Sequence, residues 1–247
     1  MTDPYFSSRR SVRKFQDKEV DSELLDSILE QAMKAPNTGN MQLYSVIVTR
    51  DKMRRAELAK LHFSQPASTG APVLLTVCAD VHAFGRWCEV SRADCGFRNF
   101  LSFTTSFADA IIYSQQIVTI AEKEGLGTCY LGTVLYNAPE IAALLELPKG
   151  VIPVACLAVG WPDGEGVETE RLPLEAVMHT ETYSSRSDEE VVRLYKEKEE
   201  YEPNRGFVAE NGKENLAQVF AEVRYPREMN ENVSRKLKEY LAENGMI

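Results

Sequence analysis

Four cations occupy six consecutive positions near the start of the chain, in Arg9-Arg10-Ser11-Val12-Arg13-Lys14, although the protein carries a formal charge of −9. Guanidinium forks match phosphate oxygens bidentately and the Ser11 hydroxyl adds a donor, so the stretch has the chemistry of an anion site; read plainly, it is a solvated basic arm. A second stretch, Ala35-Pro36-Asn37-Thr38-Gly39-Asn40-Met41-Gln42, needs only its Pro and Gly to be a loop. Its density of amide and hydroxyl groups also suits it to donate to ring oxygens and nitrogens. A third, Gly127-Thr128-Cys129-Tyr130-Leu131-Gly132, is small enough for a flat ligand to approach the backbone closely. Each of these, alone, also fits an ordinary structural role.

Other chemistries lack their residues. Gly125-Leu126-Gly127 opens like a dinucleotide fingerprint, but Tyr130 stands where the third glycine belongs, and the stretch follows a helix where a strand is required. Gly206 to Gly212-Lys213 mimics a phosphate-binding loop with one residue too many and Glu214 in place of the magnesium-binding Ser or Thr. Neither a GxSxG elbow nor an HExxH helix occurs, so hydrolase and nucleotide-hydrolysing functions have little support. Five cysteines without a CxxC pair and three scattered histidines argue against a structural metal and for reduced thiols. The acidic balance opposes general nucleic-acid binding. The first residues carry no apolar run of a secretion signal, so the expected location is the cytoplasm.

These stretches need elements to position them. Residues 21–35 predict a helix capped by Asp21, with Leu24, Leu25, Ile28, Leu29, Ala32 and Met33 at helical spacing. Residues 43–49 predict a strand, 54–62 a short helix, and 73–79 a strand buried on both faces. Residues 99–124 form a long apolar helix closed by Gly125. Asp109, Gln115 and Gln116 argue against a membrane span there, and its near all-round apolarity predicts a core helix that also lines a subunit interface. A turn region at 125–132, a helix at 138–147 capped by Asn137, and a strand at 153–160 follow. Beyond these come an irregular segment at 172–183, a charged helix at 188–201, a polar loop at 202–215 and a terminal helix at 232–243. The fold class is α+β: a central mixed, mostly antiparallel sheet flanked by helices. The expected organisation is one domain over 1–247, with a core at 1–185 and a helical C-terminal extension at 186–247.

Arg9–Phe15 (RRSVRKF), Ala35–Gln42 (APNTGNMQ), Gly125–Gly132 (GLGTCYLG), and PVACLAVGWP followed by RLP resemble, in this order and across nearly the whole chain, the FMN-dependent nitroreductase family. Within it, RLPLEAVMH and the C-terminal extension are similar to the branch of the major oxygen-insensitive nitroreductase and the NADPH-flavin oxidoreductases. The resemblance implies a homodimer using FMN, with NAD(P)H as electron donor and a small-molecule nitro, quinone or flavin acceptor in a ping-pong cycle. No catalytic side chain and no metal are implied, because the flavin carries the chemistry.

It also implies roles by position. Arg10 meets the FMN phosphate, Ser11 the ribityl or phosphate region, and Arg13 the N1–O2 edge of the ring. Asn37, Thr38, Asn40 and Gln42 supply ring and dimer contacts, part of them to the other subunit's flavin. Gln65 lies on the flavin, Tyr130, Leu131, Gly132 and Thr133 line one side of the ring, and Arg171 is a second phosphate ligand. Tyr130, Phe63 and Phe207 are candidates to shape acceptor access. Thr169 departs from the branch, which places Lys there; Arg9 is the candidate to compensate. Arg205 and Lys213 are the only cations available for an NADPH 2′-phosphate between residues 202 and 215. A flavin-binding protein without reductase turnover and a colourless interaction module remain the alternatives.

Overall fold

The computed structural model describes residues 3–166 and 168–247, and these fall into two compact units, the described residues up to 166 with 235–247, and residues 168–234. In the first unit, α1 (Pro4–Ser8) precedes the basic arm and α2 (Ser22–Ala32) follows it. Asp21 caps α2 by accepting from the Glu23 and Leu24 amides at 2.9 and 3.1 Å, and Leu25, Ile28 and Ala32 are its buried face. Strand β1 (Tyr44–Thr49) leads through α3 (Lys52–Leu61) and α4 (Pro66–Gly70) to β2 (Val73–Asp80). Next come α5 (His82–Val90), the central helix α6 (Phe100–Lys123), β3 (Gly127–Tyr130), α7 (Ala138–Leu144) and β4 (Val151–Gly160).

The four strands run in the order β1-β2-β4-β3, and all three pairings are antiparallel, so the sheet is not mixed in the described residues. The strands β2 and β4 are nonetheless buried along their whole length, because helices cover both faces. Alternation sorts their side chains: Val73, Leu75, Val77 and Ala79 pack with Leu25, Ile28, Tyr113, Ile117 and Ala121, while Leu74, Cys156 and Ala158 pack with Leu58, Ala67 and Ile141. Tyr240, Leu241 and Met246, from the end of the chain, belong to the first of these cores.

The second unit holds a 3₁₀ turn at Leu174–Ala176, α8 (Asp188–Glu200), α9 (Glu202–Glu210) and α10 (Leu216–Gln218), which runs into a π turn at Val219–Arg224. The helix α11 (Arg227–Glu243) ends in the first unit. Ser187 and Glu190 close a capping box on α8.

Three further expectations fail. Residues 127–130 are a strand inside the expected turn region, 202–210 a helix inside the expected loop, and Asn137 makes no side-chain cap on α7. Pro203 sits in the first turn of α9, where a missing N–H costs nothing, and only Gly206 argued against helix there. The Asn137 amide instead donates to the Leu61 carbonyl at 2.6 Å. No helix among the described residues is long and apolar enough to cross a membrane.

Candidate functional site

The basic arm is tethered at one end to the last turn of α6. The Glu122 carboxylate, with its side chain 9% exposed, accepts from the Tyr5 hydroxyl at 2.7 Å and the Thr128 hydroxyl at 2.5 Å, and Arg9 straddles both of its oxygens at 3.2 Å. A nearly buried charge requires such a donor set. Burial and then the bond to Glu122 push the Tyr5 phenol up to about 12. Lys123 pairs with Asp3 at 2.7 Å, fixing the start of α1 to the same helix end.

From this tether the arm passes the edge strand β3 at Thr128 and continues beside Trp161–Asp163, just beyond β4. The Val12 amide donates to the Thr128 carbonyl at 2.9 Å, the Gln16 amide to Trp161 at 2.9 Å, and the Asp163 amide to Lys14 at 3.0 Å. Close packing holds it on both sides. A Cβ added at Gly127 would lie 2.7 Å from the Val12 Cβ, and one at Gly166, whose φ is +77°, would lie 3.1 Å from the Ser11 carbonyl oxygen. The arm therefore presents Arg10, half-buried, and Arg13, exposed, from a fixed backbone. Arg10 stands 3.4 Å from Glu165, whose side chain is 92% exposed. Burial pushes the Cys129 thiol up, and the charges of Arg13 and Arg9 partly oppose it, so both guanidinium groups bear on β3.

The chain after β3 turns at once into a 3₁₀ segment, Gly132–Asn137. Tyr130 shares a 2.8 Å hydrogen bond with Ser114 of α6, so its hydroxyl points inward and its half-buried ring is what remains available. Leu131 is buried in the core and its amide donates to Cys156 at 2.8 Å. Gly132 is exposed, and a Cβ there would meet nothing within 4 Å. The Thr133 hydroxyl is 2.9 Å from the Nδ1 of His62, a fully buried imidazole whose pKa burial lowers to about 4. Phe63 and Ser64 follow with left-handed φ angles of +57° and +49° and deliver Gln65 to the start of α4. Phe63 is exposed, edge-on to Tyr136 at 6.3 Å.

The Asn37–Gln42 loop is organised by a different residue of α6. Buried Asp109 accepts from the Thr38 amide at 3.0 and 3.1 Å and from its hydroxyl at 2.9 Å, so this hydroxyl holds the loop to the helix. Asn37 accepts from the Gln42 amide at 2.9 Å, and Gln42 donates to the Tyr44 hydroxyl at 3.2 Å. Gly39, Asn40 and Gln42 all adopt φ between +53° and +57°, which leaves Asn40 and Gln42 exposed at the tip.

The structure thus sets the arm that carries Arg9, Arg10, Ser11 and Arg13 against β3, which leads into Tyr130–Thr133, and Thr133 bonds to His62, three residues before Gln65. Arg9 is committed to Glu122. In the second unit Arg171 is exposed and donates to Thr169 Oγ1 at 2.5 Å, Lys213 pairs with Glu222 at 2.8 Å, and Phe207 lies under the Arg224 guanidinium at 4.5 Å. Sequence reasoning missed the buried polar organisers Glu122 and His62, and it read Asp109 only as an obstacle to a membrane span. A buried acid in an apolar helix demands donors, and that demand was the available signal.

Residues 6–161 match the model of the nitroreductase family. A protein of Bacillus subtilis (strain 168) named FMN reductase (NAD(P)H) is 34% identical over 244 residues, covering 94% of this chain and 96% of that protein. A solved structure from Bacteroides fragilis NCTC 9343 aligns with a TM-score of 0.97 at 40% identity, over 99% of this chain and 100% of that one. The structure of the NfrA1 nitroreductase from B. subtilis aligns with a TM-score of 0.85 at 25% identity, over 98% of each chain. The chain belongs to the nitroreductase family.

Proposed function

We propose that this protein is a homodimeric, cytoplasmic, FMN-dependent oxidoreductase that draws hydride from NAD(P)H and passes electrons to nitro, quinone or flavin acceptors. The observation that carries the reading is the basic arm, packed closely against Gly166 and against Gly127, on the strand that leads into the open backbone of Gly132. These residues fit FMN chemically: a phosphate needs cations and hydroxyl donors, and a planar ring needs backbone unencumbered by side chains. Arg10 and Ser11 would hold the phosphate end. Arg13, Gln65 and the Tyr130–Thr133 segment would meet the ring, with Leu131 contributing only backbone. Asn37, Thr38, Asn40 and Gln42 would reach the site of the partner subunit.

Bound FMN supplies the hydride chemistry. The chain supplies placement and field. With FMN bound, the Arg13 guanidinium, held on a backbone that does not have to reorganise, would supply a fixed positive charge to favour the anionic form of the reduced ring. Donor and acceptor would occupy the same open face in turn, which is the structural content of a ping-pong scheme. The names of the relatives, FMN reductases using NAD(P)H or NADPH, support the same reading.

The visible spectrum of the purified protein, followed by separate anaerobic titrations with NADH and NADPH, tests it. Yellow protein bleached by at least one of the two is the expected result. A preparation that refuses added FMN and oxidises neither nucleotide overturns it.

A further inference from the structure

Two of the five cysteines stand apart from the proposed flavin site and face each other across a chain reversal. Cys88 lies near the end of α5, and the chain turns back at once: the Ser91 amide donates to Trp87 at 3.0 Å, the Ala93 amide to Cys88 at 2.9 Å, and Arg92 takes φ +56°. Residues 93–98 then return along the helix without regular structure. Their register is fixed by Phe97, whose ring centroid is 4.9 Å from that of Phe84. Cys88 is one helical turn beyond Phe84, an advance of about 6 Å, and Cys95 is two extended residues before Phe97, about 6.6 Å. The two steps match, so a contact between the phenyl rings places the two thiols opposite each other. The Cys95 thiol is accordingly among the groups that raise the pKa of Cys88.

We propose that Cys88 and Cys95 are a redox-active pair that closes an intramolecular disulfide under hydrogen peroxide. The order of events follows from exposure. Cys88 is buried, and burial together with the neighbouring Cys95 thiol pushes its own thiol above the ordinary range, whereas Cys95 is half-exposed. Cys95 reacts first: its thiolate sulfur attacks one peroxide oxygen, the O–O bond breaks, and water leaves after protonation, giving a sulfenic acid. Cys88 then attacks that sulfur, forming the S–S bond and releasing a second water. Two thiols lose two electrons and two protons, and one peroxide becomes two waters. A dithiol reductant reverses the step by exchange. The remaining cysteines, Cys78, Cys129 and Cys156, are buried elsewhere in the core.

The bridge would close the chain reversal that delivers α6. Asn99, which caps α6 by accepting from the Ser102 amide at 3.0 Å, also donates to the Gly96 carbonyl at 2.9 Å, so the returning segment is bonded to the helix cap. Oxidation would fix that segment to α5 through a covalent bond.

The sequence allows a clean readout, because Arg86, Arg92 and Arg98 bracket the two cysteines separately. The full-length protein is treated with a small excess of hydrogen peroxide, unreacted thiols are alkylated, and the tryptic peptides are weighed. The expected species joins the Trp87–Arg92 and Ala93–Arg98 peptides, lighter than their sum by two hydrogens, and disappears with dithiothreitol. Cys88→Ser and Cys95→Ser should each abolish it, and Cys88→Ser should leave Cys95 over-oxidised. Recovery of both peptides alkylated after treatment, a link from either cysteine to Cys78, Cys129 or Cys156, or a link found only between two copies would overturn the proposal. None of these outcomes depends on flavin binding.

Discussion

At the scale of single residues, Arg10 and His62 carry separable predictions. The ion pair of Arg10 with the exposed Glu165 is the kind that contributes little and yields to a better anion. Arg10→Ala should therefore weaken FMN binding by about 10- to 150-fold, the equivalent of a charge-assisted hydrogen bond of about 1.5–3 kcal/mol. Fluorescence titration of the apoprotein measures this, and unchanged affinity would remove Arg10 from the phosphate site. His62 acts on stability. Its imidazole is held neutral to about pH 4 in the fold, against an ordinary value of 6.5 when unfolded. Between these values the unfolded chain binds the extra proton, so this contribution to stability is complete above pH 6.5 and is lost as pH falls toward 4. The slope is at most about 1.4 kcal/mol per pH unit. Denaturant unfolding between pH 7 and pH 4.5 should show a steeper loss for the parent than for His62→Gln, which lacks the titrating ring; parallel curves would mean the imidazole is hydrated after all.

At the scale of elements, the site depends on two attachments to the sheet and its central helix. Gly127→Ala would drive a methyl group into the Val12 Cβ, 2.7 Å away, which is not the flexible end of a side chain. The arm or β3 must shift. The expected cost is about 1–3 kcal/mol in unfolding free energy, with FMN affinity falling in parallel. Asp109→Ala removes the acceptor of the Thr38 amide and hydroxyl and should cost about 1.5–3 kcal/mol. It should also raise hydrogen exchange in residues 37–42; unaltered exchange there would show that the loop is held by other means. The same elements mark what the sequence discloses. The helices α2 and α6 and the strands β1, β2 and β4 were legible because each repeats its apolar residues at one period or runs apolar without a break. The strand β3 was not, since four residues that begin on a glycine hold no period and pair only because β4 offers an edge. Nor was α5, whose apolar residues are partly left at the surface, with Trp87 and Val90 exposed. The cationic arm and the Asn37–Gln42 loop were visible by composition. Their anchors Glu122 and Asp109 were not, because a lone acid in a helix reveals its partners only after the chain has folded.

At the scale of the whole molecule, the proposed dimer rests on the central helix. One face of α6 feeds Tyr113, Ile117, Val118 and Ala121 into the core, while Leu101, Ala108 and Ile112 recur at helical spacing on a face left exposed. Leu101 and Ile112 are 74% and 41% exposed, and neighbouring Phe100 is 56% exposed. An apolar stripe of this kind on a 24-residue helix has a reason to exist if a second copy covers it. A two-fold interface repeats every contact, so Ile112→Glu would bury two unpaired carboxylates at once, each costing several kcal/mol. Light scattering coupled to gel filtration should give twice the chain mass for the parent and a monomer for the variant, with dissociation shifted by at least about 100-fold. Because Ile112 does not belong to either core, the monomer should keep the parent's circular dichroism. It should lose FMN even so, although Arg10, Ser11 and Arg13 are intact, since Asn37–Gln42 of the partner would no longer complete the site. A variant that stays dimeric would move the interface off this stripe, and a monomer that retains flavin at parental affinity would show that one chain suffices to hold it.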